Sequence, residues 1–163
     1  MKRLQFKNIV ADNKNLIYNQ ALYFTANRED AEDITQEVLI KLWHNMDKIK
    51  RNSLKAWVLK VTRNLSIDYS RRRKEQPLEN KNDLLIDLQA NPEKEAINAD
   101  LMEKIMRVIN QLPEKMRSIV IMRDIQDLKY RVIAETMKLP LNSVKVYLHR
   151  GRKLLLKNLS NYL

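Results

Sequence analysis

The chain contains no cysteine. That removes any disulfide framework and any thiolate metal site, and it fits a reducing compartment. Glycine occurs once, at Gly151, and proline four times in 163 residues. Such scarcity argues against a β-rich fold, whose tight turns draw on glycine. The only histidines, His44 and His149, stand 105 positions apart with no motif around either. No glycine-rich phosphate loop, metal-ligand spacing or paired nucleophile and base occurs, so no enzyme, cofactor or metal is expected. No apolar run approaches the ~20 residues of a membrane span, so no membrane insertion is expected. The opening MKRLQFKN is charged without an apolar stretch behind it, unlike a signal peptide. A cytoplasmic protein is expected.

What is present is helical and basic. Hydrophobic residues make up 44% of the chain, enough for a packed core, and the formal net charge is +11. Charge of this size and sign points to an acidic partner, most often nucleic acid. Its distribution is uneven. Residues 1–75 hold 16 Lys and Arg against 9 Asp and Glu; residues 98–163 hold 13 against 6. Between them, residues 76–97 hold 2 against 5, with Pro77, Pro92 and several asparagines. The expectation is all-α: two small helical domains, 1–75 and 98–163, joined by a flexible acidic linker, 76–97. Within the linker Leu84–Leu88 reads as a short helix or a docking segment.

In the first block, helical periodicity predicts helices over 8–26, from about Asn27 to Trp43, and from Ser53 to Lys74. The second helix has a core face of Ala31, Ile34, Val38 and Leu42. Beside it runs a second stripe, Asp33, Gln36, Glu37 and Ile40. Carboxylates repel phosphates, so this stripe is either plain solubility or a dock for a basic protein surface. On the third helix the predicted core face is Leu54, Trp57, Val58, Val61, Leu65 and Tyr69. Lys60, Arg63, Asn64, Ile67, Arg71 and Lys74 face outward, ending in the run Arg71-Arg72-Arg73-Lys74. A stripe of that kind can follow a phosphate backbone. The polar HNMDKIKRN loop, with Trp43, His44 and Lys50 nearby, suits unstacked bases, although Trp43 and Trp57 read better as core.

The second block predicts helices over 98–112, 113–124, 129–137 and 141–159. The last pair has helix-turn-helix spacing: Ala134 where two helices cross, Leu139 plugging the turn, Val144 on the second helix. Lys138 occupies the turn position that many such motifs give to glycine, because the backbone there is left-handed. On the final helix Leu141, Val144, Leu148 and Leu155 face inward. Asn142, Lys145, Val146, His149, Arg150 and Lys153 face outward, with Ser143 beside them and Arg152 suited to phosphates. Amide and basic groups at this end of such a helix can reach base edges and phosphates. A solvated basic face has the same spacing; the charge of the whole block favours DNA.

Three stretches carry a resemblance, in order and over most of the chain: NREDAEDITQEVLIKLW, LKAWVLKVTRNLSIDYSRRRK, and LPEKMRSIVIMRDIQDLKYRVIAETMKLPLNSVKVYLHRGRKLL. They resemble bacterial sigma factors of the extracytoplasmic-function (ECF) group of the sigma-70 superfamily. The resemblance implies a promoter-recognition subunit that binds core RNA polymerase, reads −10 and −35 promoter DNA and aids melting. It implies a role for Asp33, Gln36, Glu37 and Ile40 against the β′ clamp helices, and a contact with the β flap. Lys60, Arg63, Asn64, Ile67, Asp68 and Arg71 would face the −10 element, with the HNMDKIKRN loop where a flipped base is captured. Asn142, Ser143, Lys145, Val146, His149, Arg150 and Lys153 would face the −35 element. The acidic linker would thread toward the RNA exit path, and an anti-sigma factor would be a further partner. The chain departs from the pattern at Lys138, at Tyr130-Arg131-Val132, at Val146-Tyr147 where Ser-Arg is common, and at Gly151 where Ala is usual. The alternative is an autonomous helix-turn-helix regulator, which would dimerise on a palindrome and would not need the acidic stripe.

Overall fold

The computed structural model describes residues 1–74 and 99–161. The expected linker, 76–97, with its Leu84–Leu88 segment, lies outside the described residues. Two compact units make up the chain, Met1–Leu84 and Leu85–Leu163, and every described element in both is helical.

In the first unit, α1 (Lys2–Thr25), α2 (Arg28–Asn45) and α3 (Leu54–Lys74) pack on one another. Helix α1 starts six residues earlier than periodicity predicts. Tertiary contacts hold its first turns: Phe6 packs edge-on against Trp43 at 5.1 Å, and Lys2 Nζ lies 4.7 Å from the same ring. The helix ends at Ala26, left-handed at φ 50°, whose N–H reaches Leu22 O at 2.8 Å. Asn27 then caps α2, its side-chain oxygen accepting from the Asp30 N–H at 2.8 Å. The four predicted core residues of α2, Ala31, Ile34, Val38 and Leu42, are all fully buried. Two single 3-10 turns, Met46–Lys48 and Arg51–Ser53, carry the chain into α3.

Helix α3 turns inward a face rotated from the predicted one, with Val58 as the one predicted core residue that is fully buried. Its buried residues are Ala56, Val58, Leu59, Thr62, Ser66 and Ile67, while Leu54, Trp57, Val61, Leu65 and Tyr69 are only half-buried. The shift amounts to about one residue, roughly 100° of helix rotation. Two hydroxyls make it possible. Thr62 Oγ1 donates to Val58 O at 2.7 Å and Ser66 Oγ to Thr62 O at 2.6 Å. With their donors satisfied on their own helix, these small side chains can be buried. Gln20 of α1, also buried, donates from Nε2 to Leu59 O at 3.2 Å.

In the second unit, α4 (Ala99–Asn110), α5 (Glu114–Val120), α6 (Tyr130–Met137) and α7 (Leu141–Ser160) surround one core, with α7 touching each of the others. Pro113 stands just before α5 rather than as its first residue. Where one helix is predicted to Asp124, α5 gives way to a π-helical turn, Ile121–Ile125. Gln126 N–H closes it on Ile121 O at 3.0 Å, and Asp127 follows at φ 54°. Ile119, Val120, Ile121 and Met122 are all buried, so this segment meets protein on every side.

Gly151 of α7 is buried where that helix crosses α5. A Cβ placed on it would lie 3.0 Å from Val120 Cγ2 and 3.6 Å from Met116 Cβ. The glycine therefore permits a close helix crossing, a gain set against its weak helix propensity.

Candidate functional site

Three surfaces carry the residues singled out from the sequence. On α2, the face opposite the core presents Asp33, Gln36 and Ile40 to solvent, Ile40 at 59% exposure, with Glu37 half-buried beside them. An exposed isoleucine among carboxylates and an amide makes a small apolar spot with an acidic rim. Tyr69 of α3 donates from its hydroxyl to Glu37 Oε2 at 3.3 Å. Burial, reinforced by the charges of Glu37 and Asp33, raises the Tyr69 pKa and keeps it a donor.

On α3, Asn64, Asp68, Arg71 and Lys74 are exposed, and Lys60 and Arg63 half-buried. Arg63 Nη1 donates to Asn64 Oδ1 at 3.2 Å. Ile67 does not belong to this surface. It is 5% exposed, because the rotated α3 turns it into the helix packing. Arg73 departs from the basic run too. Its guanidinium forks onto the Asp30 carboxylate, Nη2 to Oδ1 at 2.9 Å with Nε on Oδ2, tying the end of α3 to the start of α2.

On α7, Asn142, Lys145, Val146, His149, Arg150 and Lys153 are exposed along one stripe, with Ser143 half-buried at its edge. Inward lie Val144 and Leu148; Leu155 is half-buried. Leu141, predicted inward, is 43% exposed, since it opens the helix before the core begins. The turn ahead of α7 has the anticipated geometry. Lys138 is left-handed at φ 52° and ψ 48°. Leu139 N–H reaches Ala134 O at 3.0 Å and Lys138 N–H reaches Glu135 O at 3.3 Å, the paired closure that glycine usually makes.

Comparison with known proteins matches both units. The Sigma-70 region 2 family matches residues 9–76, and the Sigma-70, region 4 family matches residues 102–155. The ECF RNA polymerase sigma factor SigW of Bacillus subtilis is 30% identical, over 94% of this chain and 88% of its own length. The chain belongs to the ECF group of sigma-70 factors. SigE of Mycolicibacterium smegmatis is 28% identical over 89% of this chain, which spans 58% of that relative's length. In fold, the chain matches CnrH, solved with the cytosolic domain of CnrY, at a TM-score of 0.74 and 18% identity over 98% of this chain and 90% of that one. It also matches the sigma factor RpoE of Bartonella quintana, solved with the anti-sigma factor NepR, at 0.69 and 20% over 96% and 97%. A sigma factor directs RNA polymerase in transcription initiation and is not in general an enzyme. An autonomous regulator is the less favoured reading.

Within this sigma factor some expected groups are otherwise engaged. Trp43 is half-buried, with Phe6 edge-on to it and Lys2 Nζ beside its ring, and so takes part in the packing of α1 on α2. Arg152, expected to suit phosphates, pairs with Asp124, Nε to Oδ2 at 3.0 Å, and that bond raises its pKa. Tyr147 is half-buried with Lys115 Nζ 5.4 Å from its ring, leaving Val146 as the exposed member of the departing pair. Between α1 and the loop after α2 lies a groove of about 450 Å³, lined by Asn8, Ile9, Asp12, Met46, Ile49 and Arg51 among others. The α1 side of this groove carries no periodic signal that would single it out. No described helix is long and apolar enough to cross a membrane.

Proposed function

We propose that this sigma factor docks on core RNA polymerase through the α2 stripe and delivers promoter DNA to α3 and α7. Asp33, Gln36, Glu37 and Ile40 face the β′ clamp helices, and the second unit meets the β flap. On α3, Lys60, Arg63, Asn64, Asp68 and Arg71 serve the −10 element; buried Ile67 supports that surface from below. Asn142, Ser143, Lys145, Val146, His149, Arg150 and Lys153 serve the −35 element. Domains 1–75 and 98–163 thus each hold one DNA contact, and tethering on polymerase makes the second contact intramolecular. The protein acts by binding, in the cytoplasm, and an anti-sigma factor is its natural antagonist.

The observation that carries this reading is the separation of charge within the first unit. Acidic and amide groups with exposed Ile40 occupy α2, and basic groups occupy α3. A surface meant only for nucleic acid would not place three carboxyl and amide groups around an exposed isoleucine. Run-off transcription with purified core polymerase on genomic fragments tests it. Transcripts from discrete start sites that need the added protein are expected. A protein that neither co-elutes with core polymerase nor supports any transcript would sink the proposal.

A further inference from the structure

Tyr69 lies where the acidic and basic surfaces of the first unit meet. Its hydroxyl donates to Glu37 Oε2 at 3.3 Å, and the Arg72 guanidinium lies 5.0 Å from its ring centroid. Four residues further along α3, Arg73 grips Asp30, two turns before Glu37 on α2. Helix α3 therefore runs against one edge of the α2 stripe at two points.

A glutamate on a helix surface samples several rotamers, and ordering it on binding weakens association. The Tyr69 hydroxyl donates to Oε2 alone. A carboxylate offers about four acceptor sites, so Oε1 and part of Oε2 stay available to a basic partner. The tyrosine thus orients the carboxylate without saturating it. Its own ring is half-buried and lies 5.0 Å from the exposed Arg72 guanidinium, a contact that contributes in proportion to how far both groups are desolvated. Burial and the charge of Glu37 raise its pKa, so the hydroxyl keeps its proton and its role as donor.

We infer that Tyr69 is a positioning residue for polymerase docking: it presets Glu37 of α2 for a cationic group of the polymerase. This rests on the docking surface proposed above. Tyr69 touches neither polymerase nor DNA in this role; it acts through Glu37.

The test is a double-mutant cycle on the full-length protein, reading affinity for core polymerase by fluorescence anisotropy. Tyr69→Phe keeps the ring and removes only the hydroxyl. It is expected to weaken core binding about 3- to 10-fold, the range for one side chain left to be ordered on binding. In a Glu37→Ala background, which leaves the hydroxyl no acceptor to orient, the same change should have much less effect. Thermal melts of Tyr69→Phe should match wild type, which separates positioning from general support. Equal core affinity for Tyr69→Phe and wild type would overturn the inference. So would an equal loss in both Glu37 backgrounds, because the hydroxyl would then act independently of Glu37. Absence of core binding by the wild type would overturn the docking surface itself, and this inference with it.

Discussion

Arg73 and Asp30, 43 residues apart, form a two-bonded fork that joins the last turn of α3 to the first turn of α2. Asp30 contributes a carboxylate only 10% exposed, and Arg73 keeps 42% of its side chain in solvent. The same Asp30 supplies the backbone N–H that Asn27 caps. One residue thus holds both the start of α2 and the end of the basic helix.

The asymmetry of exposure gives a stability prediction. Arg73→Ala strands a nearly buried carboxylate and should destabilise the first unit by about 2 kcal/mol, in the range for losing hydrogen bonds to a charged group. Arg72→Ala, at an exposed site with only a ring contact, should stay within about 0.5 kcal/mol. Both tryptophans of the chain, Trp43 and Trp57, lie in the first unit. Tryptophan fluorescence in a urea titration therefore reports that unit alone. Equal midpoints for the two variants would contradict the fork's role.

The chain's single glycine and its left-handed positions are inverted relative to habit. Lys138→Gly should stabilise the second unit by about 0.5–1 kcal/mol, because a left-handed lysine pays a steric cost that glycine avoids. Gly151→Ala should do the opposite. It gains about 1 kcal/mol of helix propensity, but the new methyl meets Val120, which is buried and β-branched, at 3.0 Å. Overpacking of 1–3 kcal/mol outweighs that gain. Melts followed by circular dichroism should move the two variants in opposite directions.

Glu37→Lys reverses the charge at the centre of the α2 stripe. Binding to core polymerase should fall by at least about tenfold, the effect of placing like charges across an interface. The tryptophan-detected unfolding midpoint should change little, since Glu37 sits at the surface edge with one side-chain partner, Tyr69. Unchanged core affinity would remove the stripe from the docking surface.

On α7 the exposed and the paired arginines should part company. Arg150→Ala is expected to weaken −35 binding and to lower the salt slope by about 1, as for one lost phosphate contact. Arg152→Ala should leave that slope nearly unchanged, because Asp124 already engages its guanidinium. Core association should be the same for both. A filter-binding series over salt concentration distinguishes them, and identical slopes for the two variants would contradict the assignment.

Helix α2 was legible at its four aliphatic core positions, whose spacing is regular, but not at Thr35 and Asp30, which are buried as well because Thr35 bonds Ala31 O within the helix and Asp30 meets Arg73. Helix α3 was less so. It carries apolar residues on two adjacent faces, and the one that went inward includes Thr62 and Ser66. Read as polar, these side chains point a prediction outward. Their bonds to Val58 O and Thr62 O, made within the helix, remove the reason to stay wet. Ile67 followed that rotation into the core. The start of α1 was missed for a different reason: what orders Lys2 and Phe6 is Trp43, more than thirty residues away.

By itself the sequence determined an all-helical chain with two basic blocks, the acid-and-amide stripe of α2, the outward stripe of α7 and the left-handed turn at Lys138. Each depends on local spacing, backbone sterics or the count of charges. The tertiary structure alone decided which basic residues remain on offer. It drew Arg73 to Asp30 and Arg152 to Asp124, turned Ile67 inward, and set Gly151 against Val120. Those outcomes depend on how helices far apart in the chain are brought within a few ångströms. Ion pairs and close crossings of that kind leave no period in the sequence.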